Sequence, residues 1–169
     1  DLYLAVAQGD EADKHFRFAV KNTPADAFAH PYALLGLARR YALAGERAKV
    51  ERYAAHALEL SVAHGFRFTE GLAQLVSAQL SGADAPLREA ERVFSEIGAR
   101  RELTQVYWLR SERPGGAGYA GRAEGNEREL GYRARPLSLS RAAAPPPTAV
   151  ALPKAPRAVL ELFTCGHVD

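Results

Sequence analysis

Three glycines, Gly9, Gly45 and Gly82, recur 36 and 37 residues apart in matched surroundings. Each follows an apolar helical run and precedes another: LAVAQG then DEADKHFRFAV, YALAG then ERAKVERYAAHALEL, SAQLSG then ADAPLREAERVF. A fixed period of this size marks stacked helix-turn-helix units, which cannot bury an apolar face alone and therefore pack on their neighbours. The period predicts an all-α array of antiparallel helix pairs, about three units long. Such scaffolds present surfaces, so the pattern points to binding in preference to catalysis.

Helical spacing runs to about Glu112. Phe16, Ala19 and Val20 form one stripe, and Asn22-Thr23-Pro24 breaks that helix. Leu34, Leu35, Leu37, Ala38, Tyr41 and Ala42 then run to Gly45, a residue suited to the left-handed stop after a helix. The longest helix is expected from Glu46 to about His64. Thr69 reads as the N-cap of a helix over Glu70 to Leu80, and Asp84-Ala85-Pro86 opens the next. A last helix, Glu102 to Glu112, is expected to cap the array with Trp108 folded over the final core.

After Arg113 the composition changes. Residues 114–131 hold six Gly with no apolar period, and PLSLS, AAAPPP and ALPKAP follow, favouring extended polyproline-like chain. The expected division is therefore an array over 1–112, a disordered Gly/Pro/Arg-rich linker over 113–157, and a new domain starting at 158–169. The final residues VLELFTCGHVD read as one strand, a turn and the start of another. The chain begins with Asp and contains no Met, which reads as a piece of a longer product.

Charge is uneven beneath a net +2: residues 1–99 carry −2, residues 100–157 carry +6 and the last twelve carry −2. The basic stretch lacks dense Lys/Arg runs, so a solvated linker is the expected reading. No run of 18 apolar residues exists to span a membrane, and the lone Cys165 excludes an internal disulfide framework and fits a reducing cytoplasm.

Reactive constellations are not evident. His56 and His64 are eight apart on one helix, and Cys165 with His167 supplies only two ligands, short of a tetrahedral zinc site. The Gly-rich GGAGYAG lacks the GK[ST] ending and preceding strand of a phosphate loop. No spacing groups a nucleophile, base and orienter. The expectation is a chain without catalytic residues, metal or cofactor.

Around Gly45, Leu37-Ala38, Tyr41 and Ala57-Leu58 stand where tetratricopeptide repeats carry Leu-Gly, Tyr and a small-then-large pair. Residues 1–112 thus resemble tetratricopeptide repeats, in particular the divergent ones of large bacterial signalling proteins. Val50 and Val62 depart from the family's Ala and Pro, and Gln74-Leu75 from its Leu-Gly. VLELFTCGHVD is similar to the opening strand of the winged-helix domain of SARP-type bacterial regulators, and with the repeats it suggests a fragment of a large SARP-type or LuxR-type transcriptional regulator.

The tetratricopeptide register implies that Tyr32, Arg39, Thr69, Val76 and Gln79 line a concave partner groove, in which an arginine would suit a carboxylate-bearing peptide. The resemblance implies a protein or peptide partner, or a second copy, with DNA contacted only through a downstream domain. Two alternatives stand beside it: a generic helical-repeat scaffold, and the accessory repeat region of an ATPase or nucleotide cyclase whose catalytic domain lies outside this chain.

Overall fold

The computed structural model describes residues 9–136, and every regular element among them is a helix. Residues 1–8 and 137–169, including the terminal strand expected over 158–169, lie outside the described residues. The helices are α1 (Gly9–Asn22), α2 (Ala29–Leu43), α3 (Arg47–Ala63), α4 (Arg67–Ser81), α5 (Asp84–Glu96), α6 (Arg100–Ser111) and α7 (Ala117–Leu130). Each packs on the next, and α2 also touches α4. From α2 onward the connections are two to five residues long, short enough to make neighbouring helices antiparallel.

One backbone device follows the helices from α2 onward. Gly45, Gly65, Gly82, Gly98, Gly115 and Gly131 all have positive φ, between 68° and 79°. After α2, α3 and α5 the N–H beyond the glycine reaches back five residues: Glu46 to the Tyr41 carbonyl (2.9 Å), Phe66 to Ser61 (2.8 Å) and Ala99 to Phe94 (2.9 Å). These bonds satisfy carbonyls that a helix end otherwise leaves orphaned. Gly65, Gly98 and Gly131 stand 33 residues apart, as do Gly82 and Gly115. The period is thus shorter than the one read from Gly9, Gly45 and Gly82, and Gly9 is the first residue of α1.

The apolar stripes meet in one core: Leu34 and Leu37 of α2, Val50 and Ala54 of α3, Leu72 and Leu75 of α4, Leu87 and Phe94 of α5, and Val106 of α6. Phe94 lies directly on the α4 backbone, since a Cβ at Gly71 would come within 2.6 Å of its ring. Phe16 of α1 seats on Gly36 in the same manner. Burying a ring such as Phe94 contributes about 2 kcal/mol.

The linker expected from residue 113 is in part a helix. Helix α7 turns Ala123 inward and sets the Tyr119 ring 5.7 Å from that of Tyr107 on α6. Its glycines Gly118, Gly121 and Gly125 face open space. They therefore dilute the apolar period without loosening the packed side. Trp108 is accordingly not the terminal lid. Its Nε1–H donates to Glu127 Oε1 at 2.9 Å, and the same oxygen accepts the Ala134 N–H at 2.9 Å. The Arg135 guanidinium lies 3.2 Å from the centre of the indole ring. The described array therefore closes with α7 and the return segment behind it.

Gly98 has φ +69°, and a Cβ placed there would meet nothing within 4 Å, so Gly98→Ala should cost only backbone strain, about 1 kcal/mol. Gly118→Ala, also in open space but inside α7, should be neutral or stabilising by up to about 1 kcal/mol. Urea denaturation separates the two, and equal midpoints would remove the left-handed stop from this account.

Candidate functional site

The outward side of α2 carries an unusual set of side chains. Phe28, Tyr32, Arg39 and Leu43 follow one another at helical steps of four, seven and four residues, which places them along one face. Phe28, Tyr32 and Leu43 are 46%, 42% and 50% exposed. Tyr32 stacks on Phe28 with ring centres 6.1 Å apart, and Phe28 meets Phe66 edge-on at 5.8 Å. Phe66 lies in turn against His64 at 5.7 Å. A row of rings thus runs from the α3–α4 turn onto α2.

Arg39 is half-buried beside this row. Burial pushes its guanidinium below the ordinary arginine range, Tyr32 and Glu102 act against that shift, and the like charge of Arg101 adds to it. Arg101 and Glu102 belong to α6, so the array brings the start of its sixth helix within electrostatic reach of its second. An arginine held partly out of water near a second arginine is suited to receive an anionic group.

The five groove residues expected from the family register separate here. Tyr32, Arg39 and Gln79 are exposed or half-buried. Thr69 and Val76 are core residues, at 0% and 3% exposure. Nor is Thr69 an N-cap, because α4 begins at Arg67, directly after the Gly65 turn. The Thr69 hydroxyl instead lies 2.7 Å from that of Ser61 on α3, and Ser61 donates to the Ala57 carbonyl at 2.6 Å. Conversely, Phe28 and Leu43 join the face without having been expected there, and Arg101 of α6 comes within electrostatic reach of it. Phe28 stands one helical turn before Tyr32, a spacing visible in the sequence, whereas the position of Arg101 depends on how α6 stacks.

Two other clusters read as structure. Tyr41 and Tyr53 stack in parallel at 5.5 Å, with Lys49 over one ring and Arg52 over the other. Tyr41 is only 7% exposed, and Arg17 and Lys49 at this cluster are paired with Asp13 and Glu46, so the arrangement is already neutralised. His30 is buried, bonds through Nδ1 to the Thr23 carbonyl at 2.8 Å, and packs edge-on to His56. Among the described residues no three His, Cys, Asp or Glu side chains converge on a possible metal position, and no helix is long and apolar enough to cross a membrane.

Thr69→Val keeps the shape and removes the proton shared with Ser61, so it should lower stability by about 1–2 kcal/mol while leaving partner binding at 25 °C unchanged. Thermal denaturation beside a binding titration checks both halves; lost binding in a folded variant would return Thr69 to the groove. No family model, curated protein or solved structure matches this chain.

Proposed function

We propose that this chain is a tetratricopeptide-like interaction module of a cytoplasmic bacterial signalling or transcriptional regulator, and that it takes a protein or peptide segment along the exposed side of α2. The observation that carries the reading is the row Phe28–Tyr32 beside the desolvated Arg39, with Arg101 near by. Aromatic rings offer contact area at low entropic cost, and arginine adds directional hydrogen bonds to carboxylates; both residue types are enriched where binding energy concentrates. The packed helices behind this face hold it in place before binding, which limits the ordering cost of association. No catalytic step is assigned to the chain, and DNA contact is left to a domain downstream.

A photo-crosslinking residue at position 32, compared with one at position 59 on α3, tests this in cells expressing the full chain. Position 32 should yield a discrete protein adduct that disappears with Arg39→Ala, and position 59 should yield none. Equal adducts from both positions, or adducts indifferent to Arg39, would overturn the assignment.

A further inference from the structure

Just past α7 the described chain passes Arg101 at the start of α6. The Tyr132 ring lies 6.0 Å from the Arg101 guanidinium, the same arginine whose charge acts on Arg39. Beyond Pro136, 22 residues rich in Pro and Ala separate this exit from the run VLELF that starts at Val159. At about 3.1 Å per residue, an extended Pro-rich chain of that length reaches about 70 Å. Helix α2 has 15 residues and is therefore only about 22 Å long, so every point on its face is within reach.

The chemistry is complementary as well. Residues 158–169 contain Glu161 and Asp169 and no Lys or Arg, with Leu160, Leu162 and Phe163 among them. At the α2 face the carboxylates would meet Arg39 and Arg101, with Glu102 also in reach of Arg39, and the apolar side chains would meet Phe28, Tyr32 and Leu43. We propose that segment 159–169 of this same chain occupies the α2 face, so that an outside partner must displace it. The proposal rests on the reading of this face as the partner site and supplies its regulation.

Tethering makes weak contacts count. A tether of this length would hold the segment at an effective concentration on the order of millimolar. Intrinsic affinity in that range therefore suffices to keep the face occupied. Displacement then costs a partner the fraction of time the face is occupied.

Cys165 is the only cysteine, so a nitroxide spin label attached there reports on the native chain. In the isotope-labelled full chain the amide signals of Tyr32, Arg39 and Arg101 should lose intensity, with Glu59 and Arg88 on α3 and α5 less affected. Dilution should leave the pattern unchanged, and Glu161→Lys combined with Phe163→Ser, outside the helical array, should restore the signals. Uniform broadening, or none, would overturn the proposal; broadening that fades on dilution would overturn it in favour of a second copy on the face. Either failure, with the position-32 adduct still dependent on Arg39, retires the tail and leaves the partner site standing.

Discussion

The left-handed glycine that follows each helix from α2 onward is the constraint on which the rest of the molecule depends. An α-helix of L-residues has no intrinsic reason to stop where its apolar stripe ends, and its last carbonyls need partners. A glycine at positive φ reverses the chain within three residues and returns an N–H to those carbonyls, as at Tyr41, Ser61 and Phe94. The next helix must then run back along the last one with its stripe already facing it. Repeated at steps of 33 residues, the turn stacks the helices into one continuous core. Small residues complete the fit, because Phe16 and Phe94 lie on the bare backbone of Gly36 and Gly71.

Electrostatics sets the α2 face apart from the remaining surface. Elsewhere cations meet acids one helical turn away: Arg47 with Glu51, Arg88 with Asp84, and Arg92 with Glu89 and Glu96. Exposed pairs of this kind contribute about 0.3–0.5 kcal/mol each, so they keep the surface soluble more than they hold the fold. Arg67 does slightly more, joining Glu70 of its own helix to Glu96 of α5 at 2.6 Å each. On α2 the half-buried Arg39 lies within electrostatic reach of both Arg101 and Glu102 and beside exposed rings. The proposed occupants of this face, an outside protein or segment 159–169, share an anionic and apolar character suited to it.

Much of the architecture could be read from residue order. Helices α2 to α6 follow from the 3.6-residue spacing of Leu34, Leu37, Val50, Leu72, Leu87 and Val106 and from Gly45 and Gly82. Helix α7 could not be read, because its open side is glycine and one of its inner positions is Glu127, whose carboxylate is satisfied by Trp108 and Ala134. The surface positions of the expected groove residues were only partly legible. Helix α3 has 17 residues and α5 has 13, a difference of about one turn. A register carried over from regular repeats therefore goes astray between units, and α4 turns Thr69 and Val76 into the core. Tyr32 and Arg39 of α2 and Gln79 of α4 stay exposed or half-buried. Arg101 needed the stacking of α6 to come into view.

The central claim is that the glycine-ended packing continues through residues 117–130 as a seventh helix. Hydrogen exchange of the full chain, resolved by residue, tests it most directly. The account predicts slow exchange for the α7 amides facing α6, around Ala123 and Glu127, approaching the protection of α6 itself, and a protected Ala134 N–H. Exchange of residues 117–130 at the rate of an unstructured peptide would contradict it, and would return the segment to a linker.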